Sequence, residues 1–377
     1  MDFEFKNGTQ ENSSVYKTLY YPHYGYGQVS IPDNQRVWIW MDNYIVPTVF
    51  TIGVVFNLLT AVVILGTELK KATPCIYWVA LSITDNVFLI QKMIPWASRR
   101  LYNIYDVAGI CQLTYYCNYL STFLEWWFIV MMMTERILQQ YCRKKARKYC
   151  SPFRTKCSLI TMGIFSIVFH LYLTWTSAVI KYSNMDMCII IPENAEDIVQ
   201  LRKVDIVFAF NIPATLVILL TMLCLHRLLQ GNRQSTTRFS LRRSNRENHY
   251  ESTKRQSTPV ITINTKTAYL KSFQPKVFTQ KASVSLLSIT LSLVLLVLCL
   301  PYNCLRTKLT MFNDAQMEER HWLQLFNEIY AINFAYKGLL YLLFLPKFRL
   351  ALWRLLKISI KSVFQKKNEP GMEISDV

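Results

Sequence analysis

Three ionisable residues stand near the middle of otherwise apolar stretches: Asp85, Glu125 and Lys337. An ammonium group beside two carboxylates can form an ion-pair cluster, replace a bound cation or relay a proton. Each of these charges costs several kcal/mol if it is left unpaired in hydrocarbon, so pairing among them is expected. The alternative for Glu125 is a protonated carboxyl that only forms hydrogen bonds. A further reactive pair, Glu135-Arg136, closes the stretch that holds Glu125. The five histidines (His23, His170, His226, His249, His321) are scattered, without the spacing of metal ligands. No nucleophile motif accompanies them, so catalytic residues, a metal and a cofactor are not expected, and neither is an enzyme.

Positioning these groups is a matter of membrane spans. Of the 377 residues 52% are hydrophobic, 14% aromatic and 18% charged, a balance that points to a bilayer. Crossing the hydrocarbon core takes about 20 apolar helical residues. Four stretches reach that length without an acidic residue, Lys or Arg: Asn43–Thr67, Cys157–Ile180, Ile206–Leu225 and Ala282–Leu305. Cys75–Ala97, Cys111–Thr134 and Trp322–Pro346 are apolar but interrupted by Asp85, Glu125 and Lys337. The expectation is an all-α membrane protein, a seven-transmembrane helix bundle over 43–346, with an extracellular tail over 1–42 and a cytoplasmic segment over 347–377. Asp85 lies 10 residues beyond Cys75, Glu125 11 before Arg136 and Lys337 9 before Pro346. At about 1.5 Å per residue all three fall roughly 13–17 Å from the inner face, in one layer.

Basic residues set the orientation. With the N-terminus outside, the cytoplasmic segments hold 29 of the 42 Lys and Arg and 6 of the 24 Asp and Glu. The net charge of +18 is therefore a topology signal and not a nucleic-acid footprint. Met1–Trp40 lacks a basic region followed by an apolar one, so the first span is expected to direct its own insertion. Asn7 and Asn12 open Asn-x-Ser/Thr sequons in that tail, where glycosylation fits the orientation. Only the outer face is oxidising, and of ten cysteines Cys111 and Cys188 are best placed there, which predicts one disulfide across the mouth of the bundle.

The loop 227–280 is basic and rich in Ser, Thr and Asn, with no apolar periodicity, and reads as disordered. Arg-Arg-Ser244 and Lys-Arg-Gln-Ser257 within it match basophilic kinase sites. Lys347–Lys357 spaces apolar residues helically between cations, which predicts a short amphipathic helix on the inner leaflet.

Ordered landmarks now accumulate along the chain: Gly53-x-x-x-Asn57, Leu81-x-x-x-Asp85, Cys111 followed 25 residues later by Arg136 in Glu135-Arg136-Ile137, Pro213, Cys299-Leu300-Pro301, and Gly338-Leu-Leu-Tyr341 before Leu-Pro-Lys-Phe348-Arg349. In this register the sequence resembles the rhodopsin-like (class A) G-protein-coupled receptors. The stretch from Cys75 to Arg136, with Tyr77-x-x-x-Leu-Ser-x-Thr-Asp85 and Trp126-Trp127, is similar to invertebrate FMRFamide-like neuropeptide receptors. Three departures stand out. Cys299 replaces the usual Trp of the sixth helix, Lys337 and Gly338 replace the Asn and Pro of the Asn-Pro-x-x-Tyr motif, and no Trp stands in the middle of the fourth helix.

The resemblance implies a receptor that binds an extracellular ligand and activates a heterotrimeric G protein, with arrestin a further partner, in the plasma membrane. Glu135, Arg136, Pro301 and Tyr341 would serve activation, with Glu135 holding Arg136 in the off state. Relatives often pair that Arg with an acid at the base of the sixth helix, where this chain has Lys276 and Lys281. In the family the second-helix Asp binds a sodium ion. Here Asp85, Glu125 and Lys337, with Asn57 and Asn333, would form that cluster, the Lys337 ammonium taking the ion's place.

Ligand contacts are expected from Gln91, Trp96, Tyr115, Asn118, Tyr119 and Thr122 on the second and third helices, Tyr302, Asn303 and Arg306 on the sixth, and Asn327 and Tyr330 on the seventh. Asn118 stands where amine receptors carry an Asp, which disfavours a monoamine. Aromatic and amide groups beside a cation suit the amidated or acidic end of a peptide. The outer loops add Asp186, Glu193, Glu196, Asp197, Glu318 and Glu319, a rim that attracts a cationic peptide. A chemosensory receptor for a small molecule shares the fold. A transporter would use the buried charges as a proton relay, but no inverted repeat is present.

Overall fold

The computed structural model describes residues 41–182, 185–190, 195–230, 274–312 and 317–367. The sequons at Asn7 and Asn12 and most of the loop 227–280 lie outside them, as do Glu193 and the side chains of Asp186, Glu196, Lys276, Lys281 and Glu318.

The described chain is almost wholly helical. A π-turn at Met41–Ile45 leads into α1 (Val46–Leu65), and α2 (Thr73–Arg100) and α3 (Ile110–Tyr141) follow. A short basic helix α4 (Arg143–Tyr149) precedes α5 (Pro152–Phe169). An antiparallel hairpin, β1 (Ser177–Tyr182) and β2 (Met185–Ile190), comes next. Then α6 (Ala195–Ile206) passes through a π-turn at Val207–Asn211 into α7 over 212–230. The last helices are α8 (Gln274–Phe312), α9 (Met317–Ile332), α10 (Lys337–Phe344) and α11 (Pro346–Lys367). Seven spans result: α1, α2, α3, α5, α6 with α7, α8, and α9 with α10.

The bundle is turned inside out relative to a soluble protein. Ile52, Val55, Leu58, Val62, Ile160, Ile164, Val168, Leu219, Met222 and Val297 are exposed, while Asn57, Asp85, Glu125, Ser292, Asn333 and Lys337 are fully buried. Lipid contact explains the first set and internal pairing the second. By length and apolar composition Asn43–Leu65, Thr73–Ser98, Asp197–Gln230 and Ser283–Phe312 qualify as spans unaided. The other three depart from that pattern because they carry buried charge, are short, or are broken.

Each departure has a local cause. The fourth span was expected over Cys157–Ile180, but its helix ends at Phe169 and the chain is already a strand at Ser177. Here polar side chains satisfy the carbonyls in place of the next turn: Thr174 Oγ1 donates to Leu171 O, Thr176 Oγ1 to Tyr172 O and Ser177 Oγ to Leu173 O. At the other end Ser151 Oγ accepts from Arg154 N and Pro152 occupies the first turn, so the helix starts earlier than Cys157. In the fifth span Pro213 has no N–H to donate, and the π-turn just before it leaves the Phe208 carbonyl to the indole of Trp127 at 3.1 Å.

The seventh span breaks at 333–336, where Asn333, Phe334 and Ala335 make three-residue turns and the Phe334 carbonyl accepts from Asn57 Nδ2 at 2.9 Å. Gly53 and Gly338 bring this break hard against the first span. A Cβ on Gly53 would lie 2.7 Å from Ala335 Cβ, and one on Gly338 would lie 2.8 Å from Phe56 Cβ and 2.9 Å from its carbonyl oxygen. The loss of the family proline at Gly338 is thus a packing requirement. The amphipathic helix α11 runs to Lys367, well beyond Lys357, with Phe348 and Ala351 buried and Leu350, Trp353 and Leu356 exposed.

Gly338→Ala is expected to destabilise the bundle by about 1–3 kcal/mol, read as a lower thermal midpoint of the detergent-purified protein. An unchanged midpoint would show that the first and seventh spans do not meet this closely.

Candidate functional site

The break in the seventh span delivers Lys337 to the bundle centre. Its Nζ lies 2.7 Å from Asp85 Oδ1 and 2.6 Å from Glu125 Oε1, and all three side chains are at most 1% exposed. Asn333 Nδ2 donates to the same Glu125 oxygen at 2.8 Å, so that oxygen accepts twice and a proton on Glu125 would sit on Oε2. Lys337 also rides over the Phe334 ring at 5.1 Å. The second, third and seventh spans therefore meet at one buried ammonium. Asn57 reaches the break itself, through its bond to Phe334, and not the charges.

At the far end of α3 the Arg136 guanidinium is 5% exposed and donates to Glu135 Oε1 at 3.3 Å. Glu135 is held in turn by Gln139 Nε2 at 2.8 Å and Thr155 Oγ1 at 3.4 Å. The ends of α3 and α8 share a neutral polar contact here, Gln140 Nε2 with Ser285 Oγ at 3.5 Å. Tyr341 is buried and stacks on Trp78, centroids 5.3 Å apart. Pro301 lies within α8.

The opposite end carries the Cys111–Cys188 disulfide, with Cα atoms 5.4 Å apart. It ties β2 to the start of α3, where Gly109 takes a positive φ of 88° that permits the tight entry. Tyr115 OH donates to Cys188 O at 3.4 Å and Gln112 Nε2 to Ser177 O at 3.1 Å, so the hairpin is pinned across this end.

Beneath the hairpin the expected ligand residues gather, though several are already engaged. Gln91 Nε2 donates to Asn118 Oδ1 at 3.0 Å, and Tyr330 OH to Thr122 Oγ1 at 3.2 Å. Tyr302 stacks on Tyr330 with centroids 5.0 Å apart, and Asn303 bonds back to the Cys299 carbonyl at 3.0 Å. Arg306 lies 5.2 Å over the Tyr119 ring and 3.3 Å from Asp205 Oδ2. Asn327 accepts from Lys92 at 3.1 Å, and Trp96 is half-buried farther along α2. The Tyr330–Thr122 pair sits one turn from the Asn333–Glu125 pair, which joins this cluster to the charge layer.

The sequence reading allotted this end one cation, Arg306; the structure adds Lys92 and Arg202, and with them the acids Asp205 and Glu328. Lys92 and Arg202 are each 8% exposed and Asp205 is 1% exposed. Asp205 also faces His170 Nε2 at 3.2 Å, while His170 Nδ1 faces the Ser166 carbonyl at 2.9 Å. Spacing could have flagged these residues. Lys92 is seven residues from Asp85, on the same inward face of its helix, and Arg202 and Asp205 are three apart.

The family model described as 7 transmembrane receptor (rhodopsin family) matches residues 56–341, most of the chain. The chain belongs to the rhodopsin family of seven-transmembrane receptors. It is accordingly a multi-pass plasma-membrane protein and a signalling receptor, not an enzyme, whose partners as a class are a ligand and a G protein. Among curated proteins, none is similar enough to match alongside the family. Within this receptor the sodium ion bound by family members does not fit, because Lys337 Nζ already occupies the space between Asp85 Oδ1 and Glu125 Oε1.

Thermal stability of the purified receptor is therefore expected to be the same in sodium and in choline chloride. Lys337→Asn should lower the midpoint in choline and recover part of it in sodium. A sodium-dependent midpoint in the unmutated receptor would contradict the assignment.

Proposed function

We propose that the receptor binds an extracellular neuropeptide at its disulfide end and activates a heterotrimeric G protein at its Arg136 end, with arrestin as a further partner. The observation that carries the ligand class is the lining beneath the hairpin. Tyr115, Tyr119, Tyr302 and Tyr330 stand with Arg306 and Arg202, while Asn118, bonded to Gln91, supplies no carboxylate for a monoamine. Phenols and guanidiniums suit peptide backbone and side chains. The similarity of the stretch from Cys75 to Arg136 to FMRFamide-like receptors supports the same class.

The orientation follows from charge. Segments expected at the Arg136 end hold 29 of the 42 Lys and Arg, which supports a cytoplasmic location for that end and an outside location for the tail carrying Asn7 and Asn12, the two expected glycosylation acceptors. In the cytoplasm Arg136 would leave Glu135 to meet the G protein.

A cell-based G-protein activation assay against amidated neuropeptides tests this directly. A potent response is expected, and Arg136→Ala should abolish it with surface expression intact. Silence across the peptides would shift the ligand class to a small molecule. The neutral Gln140–Ser285 contact, in place of an ion pair, is expected to leave ligand-free signalling above that of mock-transfected cells. Basal activity equal to mock would contradict this expectation.

A further inference from the structure

Among the described cations buried at the disulfide end, two have a carboxylate nearby and one has none. Arg306 has Asp205, and Lys92 has Asn327 and the nearby carboxylate of Glu328. Arg202, on the first turns of the fifth span, is 8% exposed, yet its Nε and Nη2 are buried without a hydrogen-bond partner. Among the described residues no carboxylate pairs with it. A guanidinium buried this deeply and left unpaired costs several kcal/mol, so the arrangement calls for a counter-charge from outside the bundle.

The surroundings identify the counter-charge as an oxyanion. The field of Arg202 falls on the phenols of Tyr115, Tyr172 and Tyr302, and that of Arg306 on Tyr172 and Tyr302 as well. The two guanidiniums thus flank the same aromatic groups. Tyr172 OH is also buried without a partner. Arg202 Nε, Arg202 Nη2 and Tyr172 OH can all donate, and what they lack in common is an acceptor.

We infer that Arg202 and Tyr172 form the binding site for an acidic group of the ligand, a carboxylate or a sulfate carried next to an aromatic ring. This rests on the peptide reading for the source of the anion: with the C-terminus amidated, it is an acidic side chain or a sulfated tyrosine. Arg306 positions the same group at longer range while it remains paired with Asp205. A planar fork of donors grips an oxyanion in two places, which a lysine at Arg202 would not reproduce.

The test uses the full-length receptor in detergent, with hippurate and N-acetyl-O-sulfotyrosine amide as anionic probes. Neutral N-acetyltyrosine amide is compared at the same ionic strength. The anions are expected to raise the thermal midpoint by several degrees and the neutral compound to leave it unchanged. The better of the two anions tells carboxylate from sulfate. Arg202→Gln should abolish the shift and Arg202→Lys retain part of it.

Because Arg202→Gln removes an unpaired charge, its ligand-free midpoint is expected to equal or exceed the native one. A fall there would mark Arg202 as a structural residue and overturn the inference. Equal shifts from anionic and neutral probes, a shift that survives in Arg202→Gln, or no shift at all would overturn it too. For a peptide that activates the receptor, amidating its acidic group should raise the half-maximal concentration about 10- to 100-fold in the native receptor, with little further change in Arg202→Gln. Anion-dependent stabilisation without any peptide response would leave the anion site standing and remove the peptide reading.

Discussion

Hydrocarbon does not tolerate a lone charge, and the structure is organised around meeting that constraint at Lys337. The ammonium is shared by Asp85 of the second span and Glu125 of the third, and all three side chains are at most 1% exposed. With both carboxyls ionised, the two of them against one ammonium would leave the layer short of one positive charge. The Asn333 amide on Glu125 offsets part of that deficit.

Reaching this layer sets the shape of the seventh span. A continuous helix would keep every backbone bond internal; instead the chain gives up a turn at 333–336, and the freed Phe334 carbonyl is taken by Asn57 of the first span. Gly53 and Gly338 permit the close approach that makes this bond possible. The departures from the family pattern at Lys337 and Gly338 are therefore one device: the lysine supplies the charge, and the glycine lets the broken helix pack against Phe56. From the break, Tyr330 reaches Thr122 toward the disulfide end, and Tyr341 stacks on Trp78 toward Arg136. The tyrosine cluster toward the disulfide end and the aromatic pair toward Arg136 thus share an element with the charge layer.

Much of this was legible in the sequence, because counting residues from span ends places charges by depth. Depth alone put Asp85, Glu125 and Lys337 in one layer, and the position of two cysteines relative to the membrane marked Cys111 and Cys188. What escaped was decided by tertiary packing. The end of the fourth helix at Phe169 depends on Thr174, Thr176 and Ser177 taking carbonyls, which an apolar run does not reveal. The break at 333–336 depends on Asn57, far away in sequence. Lys92, Arg202, Asp205 and Glu328 escaped because charges within two turns of a span end usually snorkel to water. Here the hairpin pinned by the disulfide covers that end, and Lys92, Arg202 and Asp205 are buried.

The most direct test of the central claim compares Lys337→Met with the triple variant Asp85→Asn, Glu125→Gln, Lys337→Met by thermal unfolding of the purified receptor. Removing the ammonium alone strands two buried carboxylates and should cost about 3–5 kcal/mol, whereas removing all three charges should restore stability close to the native level. A single variant as stable as the native receptor, or a triple variant no better than the single one, would contradict the claim that this charge layer organises the bundle.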